Sequence, residues 1–333
     1  MLSKKEFKEK INTVIQGDAL EVLKTFPDKC INILMTSPPY WNLRNYGVDG
    51  QLGLEKNFTE YIEKLCIIFD EVKRVLRDDG IIFVNLGDTY LVSGDTSDPK
   101  WNINAKESIG GPSKDNINYG EVKSKSLCCI PDRFKIEMIS RGWICRNEII
   151  WYKKNCMPSS VKDRFTVDYE KIFFFSKNKK YYFEQQLEPL SLESQSYFEK
   201  YKGKIPDGFT KRGDERRTAQ NRDGREPEWL QRKGGRSNIA NLMNPQGRNK
   251  RSVWTINTKP YREAHFAVFP PELCETPIKA GCPESGIVLD PFFGSGTVGL
   301  VADKLGRKWI GIELNPEYIE IAEKRLQQET IFK

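Results

Sequence analysis

Three observations predict an α/β fold with a mostly parallel sheet for this 333-residue chain. Short apolar strand candidates alternate with helical stretches over the first third. A strand, a glycine-rich turn, a helix, a second strand and a last helix follow one another between Gly286 and Leu326. Between these regions lie long polar tracts without periodicity, and no internal repeat is present. Alternation of this kind lays helices over the faces of a parallel sheet.

The elements read in order as follows. Val14–Gln16 is a short strand, and Asp18 opens a helical run, ALEVLKTF, that stops at Pro27. Ile31–Met35 is a buried strand ending at the polar turn TSPPY. Tyr61–Leu76 carries apolar residues at helical spacing and is closed by Asp-Asp-Gly at 78–80, before strand Ile81–Leu86. The segment 93–126 is rich in Ser, Gly, Asn, Asp and Lys and reads as a long loop. Helix Asp132–Ser140 and strands Glu148–Tyr152 and Lys171–Phe175 come next. The final unit is strand Gly286–Asp290, a glycine turn, a helix to Leu305, strand Trp309–Leu314 and helix Pro316–Leu326.

The net charge of +7 is unevenly placed. Glu199 to Arg251 holds 15 Lys/Arg against seven Asp/Glu, whereas the remainder is balanced at 38 against 39. A basic block on a neutral body fits a polyanion partner, nucleic acid first, or a solvated basic loop. The eight cysteines form no CxxC pair and the single His lies near no thiol set, so no metal is expected. Reduced thiols in a cytoplasmic protein fit best. No apolar run approaches the ~18 residues of a membrane span, and the start MLSKKEFKEK lacks a signal-peptide core.

Gly294-Ser295-Gly296-Thr297-Val298-Gly299 stands between a strand and a helix, and Glu313 ends the following strand. Glycines admit a ligand to the backbone, and an acid at the second strand end can accept from ribose hydroxyls. An adenosine-containing cofactor is expected, either NAD(P) or S-adenosylmethionine. Asp290, ahead of the glycines, would repel a pyrophosphate and attract an ammonium, which favours the methyl donor.

Thr36-Ser37-Pro38-Pro39-Tyr40 also follows a strand. Pro39 keeps Pro38 extended and aims its carbonyl rigidly. The Ser37 hydroxyl is a second acceptor beside it. Two fixed acceptors suit the two hydrogens of an exocyclic amine, and Tyr40 offers a face for a planar base. A stiff turn is the plain alternative.

TSPPY followed by DPFFGSGT resembles the amino-specific DNA methyltransferases, with the catalytic turn first as in their permuted β class. The resemblance implies a Rossmann-like S-adenosylmethionine-dependent methyltransferase fold, discontinuous over residues 1–185 and 253–333. Residues 186–252 would be an inserted basic target-recognition region. It implies catalysis by Ser37, Pro38, Pro39 and Tyr40. It places the cofactor at Asp18, His265, Phe266, Pro270, Asp290, Phe292, Gly294, Ser295, Gly296, Thr297 and Glu313. Asp18 read alone is an ordinary helix cap. DNA contacts are expected at Lys162, Arg164, Arg216, Arg217, Arg232, Lys233, Arg236, Arg248, Lys250 and Arg251. Trp229 and Trp254 are read as core residues in preference to wedges.

The implied reaction is direct methyl transfer to the amine of a flipped base in double-stranded DNA, leaving S-adenosylhomocysteine. Carbon-5 methylation is disfavoured because no Pro precedes any Cys. Ser rather than Asp at position 37 points to cytosine N4, with adenine N6 as the alternative. A NAD(P)-dependent oxidoreductase and a non-catalytic DNA-binding protein are the readings from other classes. The resemblance also suggests a prokaryotic or phage protein in the cytoplasm, a monomer or homodimer, paired with a restriction endonuclease of the same site.

Overall fold

The computed structural model describes residues 1–91, 122–192, 195–196, 246–258 and 269–331. The chain divides into two compact units, Met1–Glu184 with Ser252–Lys333, and Gln185–Arg251.

In the first unit, helix α1 (Lys4–Glu9) opens with a capping box between Ser3 and Glu6 and leads into β1 (Thr13–Gln16). Asp18 caps α2 (Ala19–Thr25) by accepting from Glu21 N at 3.0 Å. β2 (Ile31–Thr36) is followed by α3 (Phe58–Val75), which Asn57 caps, and then by β3 (Leu76–Leu86). After α4 (Ile130–Ser140), β4 (Ile144–Tyr152) and β5 (Tyr169–Ser176) form an antiparallel hairpin. β6 (Leu187–Glu188) and β7 (Arg248–Asn249) pair in the second unit. The first unit resumes with β8 (Val253–Thr255), α5 (Pro271–Gly281), β9 (Ile287–Asp290), α6 (Thr297–Lys304), β10 (Lys308–Glu313) and α7 (Pro316–Ile331).

Eight strands form one sheet in the order β1-β10-β9-β2-β3-β5-β4-β8. Pairing is parallel from β1 across to β3, and β5 runs antiparallel to both β3 and β4. The predicted mostly parallel α/β sheet is therefore present. Its two faces are both covered. Phe173 and Phe175 point into the cluster that holds Leu65, Phe69 and Phe134, whereas Ile172 and Phe174 point into the cluster that holds Leu273, Ile278 and Val301. The two-residue period of β5 thus divides four consecutive apolar residues between two layers.

Several boundaries differ from the sequence reading. α3 starts at Phe58, where Asn57 supplies the cap. Leu76 pairs with Ile31 and Ile81 with Ile33, so Arg77–Gly80 bulge out of register where a plain turn was expected. β4 begins four residues before Glu148 because its hairpin with β5 extends that far. α1, β8 and α5 were not anticipated; α5 begins at Pro271 and contains Pro277, residues that argue locally against a helix. Trp254 is 7% exposed and packs in the core. Of the expected 93–126 loop, residues up to 121 lie outside the described residues, as do Trp229, His265 and Phe266.

In the second unit, Arg248 and Arg251 donate through Nε to the same Glu188 oxygen at 2.8 and 2.7 Å. These two candidates for DNA contact are therefore ion-paired within their own unit. Lys250 is described and half-buried, while Arg216, Arg217, Arg232, Lys233 and Arg236 lie outside the described residues.

Candidate active site

β2 and β9 are hydrogen-bonded neighbours, with Ile33 opposite Val288 and Leu34 opposite Leu289. The sheet therefore delivers TSPPY and DPFFGSGT side by side at one edge, although 254 positions separate Thr36 from Asp290 in the chain. Ligands bind at such strand ends where the strand order reverses. A direct bond ties the two turns: the buried Thr36 hydroxyl donates to Asp290 Oδ1 at 2.6 Å.

A cavity of about 1140 Å³ opens over these turns. One half is lined by Asp18, Phe292, Gly294, Ser295, Thr297, Glu313, Asn315, Tyr46 and Tyr318. The other half is lined by Ser37, Pro38, Pro39, Tyr40, Asn85, Trp151, Lys153 and Glu170. The expected catalytic turn and most of the expected cofactor residues thus face one space.

On the cofactor side, Glu313 accepts from Gly294 N through Oε2 at 2.7 Å and from Asn315 N through Oε1 at 2.9 Å. These bonds fix the carboxylate at the mouth of the glycine turn. Burial pushes the Glu313 carboxyl above its ordinary range. Gly294 (φ +50°) and Gly296 (φ +78°) adopt left-handed backbone. A Cβ on Gly294 would meet nothing within 4 Å, so this backbone faces open space. A Cβ on Gly296 would come within 3.1 Å of Ala322 Cβ, so that glycine serves packing. Together a fixed acid, an open glycine backbone and the rings of Phe292, Tyr46 and Tyr318 fit an adenosine with its ribose.

Among the described residues, three predicted cofactor residues are absent from the cavity wall: Gly296, which packs on Ala322, Asp290 and Pro270. Asp290 is 1% exposed and absent from the cavity wall; its Oδ1 also accepts from Phe292 N at 3.1 Å. Burial raises its carboxyl to about 7, with Thr36 and Phe292 opposing. It joins the two turns from beneath. Pro270 is buried at the start of α5, and its neighbour Phe269 reaches the cavity. Asp18 is both helix cap and cavity lining.

On the catalytic side, Tyr61 donates its hydroxyl to Pro39 O at 2.8 Å and so pins the turn. The Tyr40 hydroxyl donates to Glu170 Oε2 at 2.7 Å, with Asn85 Oδ1 at 3.2 Å, and Ser37 Oγ lies 3.4 Å from the Tyr40 oxygen. An ionised Glu170 only accepts, so Tyr40 donates toward it and Ser37 donates toward Tyr40. The single Ser37 proton is directed away, which leaves its lone pairs for a bound amine. Burial, and next Glu170, push the Tyr40 phenol well above its ordinary range, so it remains a donor. Lys153 pairs with Glu170 and sits 4.2 Å from the Trp151 ring centroid. One side of the Tyr40 ring rests on Gly87, where a Cβ would lie 2.4 Å from Cε2.

Sequence reasoning missed Glu170, Asn85 and Gly87, and it took Lys153, within a stretch resembling one near the family's target-base pocket, as a phosphate contact, whereas Lys153 pairs with Glu170 at the cavity wall. It also missed Arg325, a buried α7 residue that donates to Ser295 O and Oγ, each at 3.1 Å, and to Thr297 Oγ1 at 2.8 Å. The local signals were a glycine directly after β3 and a lone Arg on the inward side of α7. Lys162 and Arg164 do not reach the cavity and are exposed on the β4–β5 loop. Among the described residues, no cluster of His, Cys, Asp and Glu could hold a metal, and no helix is long and apolar enough to cross a membrane.

The DNA methylase family of N6 and N4 methyltransferases matches residues 31–324. Type II methyltransferase M.Cfr9I of Citrobacter freundii is 38% identical over 319 residues, covering 95% of this chain and 88% of the relative. M.SmaI of Serratia marcescens is 36% identical over 317 residues, covering 94% and 90%. The PvuII DNA methyltransferase, described as cytosine-N4-specific, shares the fold at TM-score 0.57 and 20% identity, covering 95% and 89%. So does a Thermus thermophilus protein solved in complex with S-adenosyl-L-methionine, at TM-score 0.53 and 21% identity, covering 95% and 93%. The chain belongs to the N6/N4 DNA methylase family and is a DNA methyltransferase whose methyl donor is S-adenosylmethionine.

Proposed function

We propose that this enzyme methylates the exocyclic N4 amine of a flipped cytosine within a specific sequence of double-stranded DNA. The observation that carries the choice of base is Ser37, a neutral acceptor whose one proton is directed to Tyr40. An acid at this position would favour adenine.

S-adenosylmethionine supplies an electrophilic methyl group on a sulfonium. The chain's own residues do the rest by positioning and electrostatics. Glu313 and the Gly294 backbone hold the adenosine. Ser37 Oγ and the Pro38 carbonyl accept the two amine hydrogens, which turns the nitrogen lone pair away from the ring and toward the donor half, and one of these protons leaves to solvent once the nitrogen carries the methyl group. Tyr40 stacks on the base. Glu170 fixes the Tyr40 hydroxyl and thereby the direction of the Ser37 proton. No covalent enzyme intermediate is involved.

The second unit, Gln185–Arg251, is assigned to target recognition, since it contains nearly all of the chain's excess positive charge. Its Lys and Arg residues would neutralise phosphates, and a few would read base edges. Relatives named Type II methyltransferases support a cytoplasmic role beside a restriction endonuclease of the same site. Nucleoside mass spectrometry of genomic DNA after expression in a methylation-free host tests the assignment. N4-methylcytosine is the expected product. N6-methyladenine would overturn the choice of base.

A further inference from the structure

The β4–β5 hairpin carries a loop over residues 153–168 that is fastened at its base. Lys153 N donates to Asp168 O at 2.8 Å, and Asn155 exchanges hydrogen bonds with the Thr258 backbone at 2.8 and 3.0 Å. Farther out, Asp163 pairs with Lys125 at 2.9 Å, and the Arg164 guanidinium stacks 3.6 Å from the Tyr90 ring centroid. Val167 lies on the cavity wall. The chain on either side of Phe165 is therefore held, yet the residue itself is 95% exposed. Met157, at the cavity wall on the same loop, is 88% exposed.

A phenyl ring held out on a braced loop gains apolar burial only when a partner covers it. The surrounding charge selects that partner. Exposed Lys162 and Arg164 precede Phe165 on the same loop, Lys154 lies at the base of that loop, and the nearby Asp163 is neutralised by Lys125. An apolar tip on a cationic loop complements stacked bases between two phosphate backbones. A protein groove would call for no such charge.

We propose that Phe165 is the wedge that enters the base stack of duplex DNA and fills the gap left when the target base turns into the Ser37–Tyr40 half of the cavity. The proposal rests on the DNA methyltransferase assignment. Extruding a base leaves two neighbours unstacked, and an aromatic ring placed between them restores part of the lost stacking. The loop has the location for this, because its base lines the pocket that receives the flipped base. Trp254, the other described wedge candidate, is in the core.

The test uses the full-length enzyme, S-adenosylmethionine and duplexes carrying the site methylated by the wild-type protein. One duplex is fully paired, and another is abasic opposite the target. Phe165→Ala lowers the single-turnover rate on the paired duplex by roughly 10- to 100-fold, because extrusion loses its compensation. On the abasic duplex, where the target is already unpaired, the loss shrinks to about twofold or less. Phe165→Leu retains most of the paired-duplex rate. Equal losses on both duplexes, or no loss on either, would overturn the wedge. Absence of methylation by the wild-type protein would instead refute the enzymatic assignment itself.

Discussion

Gly87→Ala is the sharpest perturbation available, because it reaches the catalytic turn without touching either ligand half of the cavity. Gly87 is not on the cavity wall, yet a Cβ there would lie 2.4 Å from Tyr40 Cε2, 2.8 Å from Cδ2 and 3.2 Å from Cζ. Ordinary carbon contacts begin near 3.4 Å, so the ring must recede by roughly 1 Å. It cannot do so freely, since its hydroxyl is bonded to Glu170 at 2.7 Å and the preceding Pro39 carbonyl is pinned by Tyr61 at 2.8 Å. A displacement of about 1 Å in a positioning group costs on the order of 100-fold in rate. Overpacking of one methyl costs about 1–3 kcal/mol in stability, which a chain of this size can tolerate. The assay is single-turnover transfer of labelled methyl to DNA, with cofactor affinity from calorimetry and folding from thermal melting. The expected result is a rate lowered about 100-fold with cofactor affinity within about twofold of wild type. A folded Gly87→Ala protein with the wild-type rate would refute the claim that Tyr40 needs this exact seat.

Glu170→Gln replaces an acceptor-only carboxylate with an amide that can also donate, and it leaves Lys153 without its ion pair, so the hydroxyl chain loses its fixed direction; single-turnover transfer falls about 10- to 100-fold while cofactor affinity holds. Glu313→Gln places an amide where two backbone N–H groups require acceptors, and it weakens S-adenosylmethionine binding by about 2 kcal/mol in calorimetry. Asp290 gives a pH signature. Its carboxyl is raised from 3.8 to about 7 in the folded state, which therefore binds more protons than the unfolded state between those values. Stability of the cofactor-free protein accordingly falls as pH rises through that window, by up to about 4 kcal/mol from this group. Asp290→Asn flattens that part of the denaturation profile, and an unchanged slope would show that the group titrates normally.

The two motif turns were legible in the sequence because each is local: a few adjacent residues fix both backbone and chemistry. Glu313 was legible because a strand end after a glycine turn has a known place in an α/β unit. Glu170, Asn85 and Gly87 were not, since Asn85 and Gly87 meet Tyr40 only when β2 and β3 pair and Glu170 only when β5 joins β3, and sequence spacing does not reveal those pairings. Asp290 was read as facing an ammonium because the local reasoning had no knowledge of Thr36, which β2–β9 pairing brings to 2.6 Å. Arg325 escaped notice because one inward-facing cation on an amphipathic helix resembles its solvent-facing neighbours until its partners on the glycine turn are placed. The helix α5 was obscured by Pro271, which suits its first turn, and by Pro277 in its interior, both of which argue against a helix when counted along the chain.

The proposed mechanism assigns the methyl donor to one half of the cavity and the target amine to the other, with Tyr40 belonging to the second. Tyr40→Ala probes that division without intermediaries, compared with wild type in both S-adenosylmethionine affinity and single-turnover transfer. Near-normal cofactor affinity is expected, with transfer lowered by orders of magnitude. Parallel losses in affinity and transfer would contradict the division of the cavity into a donor half and an acceptor half.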